Sequence, residues 1–251
     1  MADSERIEVM PARWPAPPGV RAVTTLRGGG VSEGGFASLN LGGHVGDRPE
    51  HVAENRRRVR DGLGLPVEPA WLNQVHGTRC VDLGMEGIGG EADGSYTSSP
   101  ERVCAVLTAD CLPLFLCDGA GGQVGLFHVG WRGLAAGIVE HALSAFASRS
   151  AVLGWLGPSI GPGAFEVGPE VRDALAASGN DHCFTPSVNA GRWMADLYGL
   201  VAHRLRRGGL EHVSWDPAAC TRSDSTRFFS HRRSQPCGRM ASLIWIDRSA
   251  G

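Results

Sequence analysis

Two histidines and one cysteine stand where their side chains could share a metal ion. His76, Cys111 and His128 each lie at the end of an otherwise apolar, strand-like run. Imidazole nitrogen and thiolate sulfur are both zinc ligands, and three protein ligands leave one position of a tetrahedral ion open for water. Such an ion can lower the pKa of its bound water to about 7. The residue types therefore predict an open, catalytic zinc site.

The spacing of these residues leaves other interpretations open. They lie 35 and 17 residues apart, which matches no short metal-binding motif. The histidines could be hydrogen-bonded core residues, with Cys111 a small buried apolar side chain. Cys111 could also be a nucleophile with His128 as its base, as in cysteine hydrolases. Asp110, next to Cys111, is a candidate for orienting a ligand histidine or the water.

Three further segments carry groups suited to an anion or a planar base. Arg132 lies at the predicted start of a helix, where an anion is favoured, although a surface salt bridge explains this arginine equally well. In residues 228–233, FFSHRR, aromatic rings could stack on a base and arginines could hold phosphate. A partly buried strand with a solvated end explains the same residues. The Gly/Pro-rich loop 157–168 is either a pocket wall or a plain connector.

Periodicity and turn signals predict the elements that position these residues. A helix is expected from Asp47, acting as its cap, with Pro49 in the first turn and a stop near Gly62. The remaining predicted helices are 134–148, 169–177 and 194–206. The predicted strands are 21–26, 70–75, 79–83, 103–108, 113–117, 123–129, 151–156 and 242–246, with a tight hairpin at 119–122. The pattern predicts one α/β domain (mixed α+β) over residues 1–251, with a mixed sheet flanked by helices. Residues 1–18 are expected to be extended or poorly structured.

Composition excludes several classes of protein. The net charge of −2 gives no general affinity for nucleic acid or an acidic membrane surface, and no apolar run reaches 18 residues. All 24 basic residues are arginine, which removes Schiff-base chemistry and a phosphate-loop lysine. The seven cysteines form no CxxC pair, and the first residues resemble no signal peptide. We therefore expect free thiols in the cytoplasm.

Eight segments together resemble one family, the YfiH/laccase-domain proteins, whose members have been called polyphenol oxidases and, more recently, purine nucleoside phosphorylases. The resemblance covers nearly the whole chain, in order, and is therefore much more specific than any single motif. The segments are TTLRGGGVS (24–32), SLNLGGHVGD (38–47), NQVHG (73–77), TADCLPL (108–114), HVGWRGLAAGIV (128–139), GPSIGPGAFEVG (157–168), FFSHRR (228–233) and GRMASLIWI (238–246).

The resemblance implies a fold, a ligand set and a chemistry. The fold would be the mixed α/β arrangement of the family, and the metal ligands would be His76, Cys111 and His128. The reactions would be phosphorolysis of adenosine, inosine and methylthioadenosine, and deamination of adenosine. Asp110 is the candidate acid or base beside the three ligands. Purine nucleosides and phosphate are the expected partners, with candidate contacts at Arg27, Asn40, Gln74, Arg132, Phe229 and Arg232. The protein is expected to be a monomer or a small homo-oligomer.

Two departures from the family pattern affect the surroundings of the site but not its ligands. Members of the family often have two cysteines in this loop, in a sequence similar to GPCCFEVG. This chain has Gly163 and Ala164 there, so the loop supplies no thiol. His231 stands where tyrosine is common, which bears on base stacking or substrate preference.

Three other functions remain open from the sequence. A copper phenol oxidase is one, and copper is the alternative ion for this ligand set. Multicopper oxidases need around ten histidines with HxH pairs, and this chain has nine histidines and no such pair. A peptidoglycan-editing amidase could use the same open zinc site. A non-catalytic zinc protein would need a fourth ligand, for which His44 is the nearest candidate.

Overall fold

The computed structural model describes residues 7–86, 90–176 and 179–248, which form thirteen strands, five α-helices and three short 3-10 helices. The α-helices are Pro49–Gly62 (α1), Trp131–Ala136 (α2), Ile138–Ser144 (α3), Pro169–Leu175 (α4) and Leu197–Arg207 (α5). The strands are Val9–Pro11 (β1), Val20–Thr25 (β2), Cys80–Asp82 (β3), Gly94–Thr97 (β4), Val103–Thr108 (β5), Leu112–Asp118 (β6), Val124–Val129 (β7), Val152–Leu156 (β8), Glu166–Val167 (β9), Phe184–Pro186 (β10), Trp193–Ala195 (β11), His212–Trp215 (β12) and Met240–Ile246 (β13).

The strands form three sheets. The largest has the order β12-β8-β6-β7-β4-β3, the second β1-β2-β13-β5, and a small one β10-β11-β9. The largest sheet is mixed, because β12 with β8 and β3 with β4 pair in parallel while the other neighbours pair antiparallel. This architecture confirms the predicted mixed α/β fold. The predicted hairpin also forms, since β6 and β7 pair antiparallel across the turn at 119–122.

The two larger sheets pack face to face between layers of helix. Strand β6 is buried on both faces because it is apolar at every position up to its final aspartate. Its side chains alternate: Leu114 and Leu116 enter a core shared with α2 to α5, while Phe115 and Cys117 enter a core shared with the second sheet. Helix α1 covers the other face of the second sheet. The end of β5, the start of β6 and the end of β7 are therefore packed between sheets and helices.

Several predicted elements differ from the structure. Residues 70–75 make only isolated bridges. The helix expected at 134–148 is two helices, α2 and α3, because Gly137 takes φ 102° and ends the first. The helix expected from 194 begins at Leu197, since β11 occupies 193–195 and Asp196 caps α5 through its side chain. The cap of α1 is Arg48, not Asp47.

Two further observations concern the N-terminal segment and the thiols. Within the expected extended segment 1–18, β1 pairs antiparallel with β2, and residues 1–6 lie outside the described chain. All seven cysteines are free thiols. Across the described ranges, the longest apolar helical stretch falls short of what crossing a bilayer requires.

Candidate metal centre

The three predicted ligands converge where β5 and β7 end and β6 begins. Cys111 lies between β5 and β6, and His128 lies in β7 opposite the second residue of β6. His76 lies in the loop before β3, in a left-handed conformation with φ 60°. One ligand atom from each residue lies within 4.8 Å of the others, and Cys111 Sγ is 3.9 Å from His76 Nε2. The sequence prediction that these side chains meet is therefore supported by the structure.

The donor set fits a tetrahedral metal ion. A zinc ion about 2.0–2.1 Å from each nitrogen and about 2.3 Å from sulfur needs its ligand atoms roughly 3.3–3.7 Å apart, which a small closing movement reaches. Among the described residues, the group has three members. His44, the fourth ligand considered from the sequence, is not one of them. Burial and nearby cations lower the pKa of His44. An ion held by these three residues would have room for a fourth ligand from outside this group.

Electrostatics favour the charged form of the thiol. Burial opposes ionisation of Cys111, but the adjacent His128 and His76 outweigh it and lower the pKa of this thiol to about 6. Burial likewise opposes protonation of His128, yet the Cys111 thiolate and Asp93 raise its pKa to about 9. Each of the two residues therefore favours the charged form of the other. The thiolate is the form that binds a metal, and a metal that binds here must displace the proton from His128.

A buried aspartate that the sequence reasoning missed contacts both histidine segments. Asp93, immediately before β4, is fully buried. Its Oδ1 lies 2.8 Å from His128 Nδ1 and accepts a hydrogen bond from the backbone N–H of His76 at 2.9 Å. Its Oδ2 accepts from the N–H groups of Val75 and Gly77 at 3.1 and 2.7 Å. Nothing in its sequence position signalled this, because the contact joins residues 35 apart through sheet pairing.

Asp110 contacts no ligand histidine, which was one of the two roles considered for it. Its carboxylate accepts hydrogen bonds from Thr221 Oγ1 and the Arg232 backbone N–H, both at 2.7 Å, and not from a ligand histidine. The carboxylate that contacts a ligand histidine is Asp93, which corrects that part of the expectation for Asp110. Asp110 has φ 95° and is buried, and it lines the cavity beside Cys111. It therefore fastens the 228–233 segment to the centre.

The centre opens into a cavity of about 430 Å³. Its rim carries aromatic and cationic groups suited to a planar, anion-linked substrate. Arg132 lies over the Trp131 ring, 4.3 Å from its centroid. Arg232 lies 5.2 Å from the Phe165 ring centroid and donates to the Glu166 carbonyl at 2.8 Å. The lining residues are His76, Ala109, Asp110, Cys111, Gly130, Trp131, Arg132, Ile160, Phe165, Leu197, His231, Arg232 and Arg239.

Two of the six predicted substrate contacts, Arg132 and Arg232, line this cavity, and the other four side chains have structural partners. Asn40 is fully buried and hydrogen-bonds Gly42 and Asp47. Gln74 pairs with both backbone groups of Leu107. Arg27 donates to the carbonyls of Ala37 and Ser225 and lies over the Phe229 ring, which is buried. These four residues support the walls around the site.

The two departures from the family pattern fall in different places. His231, at the position where the family pattern was expected to have tyrosine, lines the cavity, with Nε2 3.0 Å from Gln235 Nε2. Gly163 and Ala164 line a neighbouring cavity of about 790 Å³ that shares Arg232. A Cβ at Gly163 would meet no atom within 4 Å, so this part of the loop has open space.

Fold and site together define a class: a mixed α/β protein that gathers two imidazoles and one thiolate, able to hold a metal ion, at the floor of an open cavity. The chain belongs to the laccase-domain (YfiH) family. Residues 21–247 match the family model described as multi-copper polyphenol oxidoreductase laccase.

Relatives and solved structures agree with this assignment. The chain is 46% identical over 236 residues to the purine nucleoside phosphorylase YfiH of Escherichia coli, covering 93% of this chain and 97% of the relative. It is 48% identical over 237 residues to a purine nucleoside phosphorylase of Pseudomonas aeruginosa, covering 93% and 96%. A crystal structure of a Neisseria meningitidis protein superposes with a TM-score of 0.90 at 43% identity, covering 95% of this chain and 99% of the other.

Proposed function

We propose that this protein is a zinc-dependent purine nucleoside phosphorylase acting on adenosine, inosine and methylthioadenosine, with adenosine deaminase activity as a second reaction. The observation that carries the proposal is the meeting of His76, Cys111 and His128 at the floor of a cavity rimmed by Trp131 and Arg132. Relatives that cover nearly the whole chain are named purine nucleoside phosphorylases, which supports the same reaction here.

Phosphorolysis requires phosphate beside the ribose. A phosphate oxygen forms a bond to the anomeric carbon, the glycosidic bond breaks, and its electron pair leaves with the purine, which takes up a proton. Arg132 suits phosphate binding because its side chain is exposed at the cavity rim, and it has no carboxylate partner among the residues described. The backbone N–H of Arg232 is already used by Asp110, but its guanidinium faces the same cavity. Bidentate arginine contacts suit phosphate geometry.

The aromatic groups suit the purine and the ribose. Trp131 and Phe165 both line the cavity. An arginine lies over one face of each ring, which leaves an edge or the other face for a flat substrate ring. His231 lies among them and can hydrogen-bond a ring nitrogen or hydroxyl. We assign base recognition to this group of side chains.

Zinc is the ion that this donor set favours, since imidazole and thiolate ligands with one open position are typical of catalytic zinc. When bound, the ion supplies Lewis acidity next to the substrate and lowers the pKa of water there. Deamination adds water to carbon 6 of adenine and releases ammonia, so a group must move a proton to the leaving amine. Asp110 is our candidate because it lines the cavity beside Cys111. Its two hydrogen-bond donors hold its carboxylate in place.

The family model is named after multicopper oxidases, but the structure fits such an enzyme poorly. Such enzymes assemble several coppers through many histidines. Within the part of the chain that the structure describes, one group of three potential ligands forms. One soft site of this kind can also take copper, so phenol oxidation must be measured on protein that holds zinc alone.

Product analysis tests the proposal. Zinc-loaded protein is incubated with adenosine, with and without phosphate, and the products are separated by chromatography. We expect phosphate-dependent adenine and ribose 1-phosphate, and phosphate-independent inosine. Parallel incubations with a muropeptide precursor and with a phenol test the amidase and oxidase alternatives. Turnover of either of those and none of adenosine would reject the proposal.

Two variants connect the products to the site. Cys111→Ala should lose zinc and adenosine turnover together, while Cys80→Ala removes a half-buried thiol away from the cavity and should retain both. Arg132→Gln should raise the KM for phosphate at least tenfold with zinc content unchanged. Full activity in metal-free Cys111→Ala protein would contradict the metal mechanism. An unchanged phosphate KM in Arg132→Gln would remove Arg132 from the phosphate site.

A further inference from the structure

One buried carboxylate joins the two histidine segments of the centre. Asp93 has no exposed surface, and four hydrogen-bond partners surround its two oxygens. Three partners are the successive backbone N–H groups of Val75, His76 and Gly77, and the fourth is the His128 ring. Three consecutive N–H groups converging on one anion form a nest. Here the anion in the nest is a side chain of the same protein.

The contact with His128 decides which ring nitrogen is available to a metal. Because Nδ1 lies 2.8 Å from a carboxylate oxygen, the proton of the neutral ring is held on Nδ1. The lone pair is then on Nε2, on the side of the ring away from Asp93. Without the carboxylate the ring can carry its proton on Nε2 instead, and a protonated Nε2 cannot bind a cation. Such partners also fix the orientation of the ring.

The contact with residues 75–77 holds His76 in a conformation that it would not otherwise favour. His76 and Asp110 are the two non-glycine residues with positive φ in the described chain, and both lie at the centre. A left-handed histidine persists only where its surroundings over-determine it. The three hydrogen bonds that Asp93 accepts from residues 75–77 fix this turn. From it, the His76 ring lies with Nε2 3.9 Å from Cys111 Sγ.

We propose that Asp93 is the positioning residue of this centre, since one carboxylate sets both the proton position of His128 and the backbone turn that presents His76. The inference rests on metal binding by the three ligands, as in the proposed function. It does not depend on which reaction the centre catalyses. Asp93 touches no substrate and acts entirely through the two histidines.

The test compares zinc affinities, measured by competition with a chromogenic chelator, for wild-type protein, Asp93→Ala and Asp93→Asn. We expect Asp93→Ala to bind zinc 10- to 100-fold more weakly, the usual loss for partners of metal-binding histidines. Asp93→Asn keeps one acceptor oxygen and should show a smaller loss, partly rescuing the site. Asp118→Ala is the matched control. Asp118 also accepts a backbone N–H in a turn, from Gly122 at 2.8 Å, but lies at the far end of β6.

A second readout separates positioning from general support of the fold. Nitrogen-15 NMR of histidine-labelled, zinc-free protein, at a pH where His128 is neutral, should place its proton on Nδ1 in the wild type. In Asp93→Ala the proton should lie on Nε2 or be shared between the two nitrogens. If Asp93→Ala does not fold, Asp93→Asn decides. A fivefold or greater loss of zinc affinity supports the inference, and wild-type affinity overturns it. A variant with lower thermal stability but unchanged zinc affinity also overturns it, because Asp93 would then be structural only.

These measurements do not use nucleoside turnover. If zinc affinity depends on Asp93 but the protein does not turn over adenosine, the positioning role stands and the proposed function fails. If adenosine is turned over and zinc affinity ignores Asp93, the proposed function stands and this inference fails.

Discussion

Replacing Gly130 with alanine should disturb the metal centre through a single methyl group. Gly130 caps α2, follows His128 by two residues and itself lines the cavity. A Cβ built on it would lie 2.8 Å from His76 Cδ2 and 3.2 Å from Cys111 Sγ. The backbone itself allows alanine, because φ −85° and ψ 164° are ordinary extended values. The effect should therefore arise from displaced ligands and not from backbone strain.

The size of the effect follows from the distances. Carbon atoms pack at about 3.5–4.0 Å, so the His76 ring must retreat by roughly 0.7 Å or more. Metal–ligand distances tolerate only about ±0.2 Å. A displacement several times larger than this tolerance should lower zinc affinity at least tenfold, equal to about 1.4 kcal/mol of binding free energy. Adenosine turnover should fall in proportion to the zinc lost.

The assay is chelator competition for zinc, with melting temperature measured with and without zinc. Gly163→Ala is the matched control, because its added Cβ meets no atom within 4 Å on the neighbouring loop. We expect Gly130→Ala to melt near the wild-type temperature without zinc and to gain much less stability when zinc is added. Wild-type zinc affinity in Gly130→Ala would refute the geometry of the centre, since the methyl group would then have found room that the structure does not provide.

Two further predictions concern the thiol and a buried amide. In zinc-free protein, alkylation of Cys111 should rise with pH around a midpoint near 6, because the nearby imidazoles outweigh burial and lower its pKa to about 6, and zinc should block it. A midpoint near 8.5, the ordinary thiol value, would contradict this. Asn55→Ala removes a fully buried amide that accepts from Val31 and donates to Ser32 and two carbonyls. We expect a loss of about 3 kcal/mol and a melting temperature roughly 6–12 °C lower by differential scanning fluorimetry, and an unchanged one would contradict it.

The fold could be predicted from the sequence where one periodic pattern determined one element. Strands β5, β6 and β7 are apolar runs ended by turn residues, and the glycines at 119–122 identify their hairpin. The short strands β9, β10 and β11 were missed because two or three residues carry no period, and their pairing is a tertiary property. The break at Gly137 was missed because the apolar face continues across it from α2 to α3.

The site divides in the same way. The three ligands could be found because a polar side chain at the end of an apolar strand is costly to bury unless it has a partner. Asp93 could not be found, because its carboxylate meets His128 only through the pairing of β4 with β7. The amide of Asn40 and the ring of Phe229 were expected to contact substrate. Their polar and aromatic character serves buried packing instead, and residue type alone does not distinguish these uses.

The central claim is that one metal ion joins His76, Cys111 and His128 and keeps a free position toward the cavity. Anomalous scattering at the zinc edge from crystals of the zinc-loaded protein tests it most directly. We predict one peak about 2.3 Å from Cys111 Sγ and about 2.0–2.1 Å from Nε2 of each histidine, with no fourth protein ligand. A peak elsewhere, or a fourth protein atom completing the coordination sphere, would contradict the account.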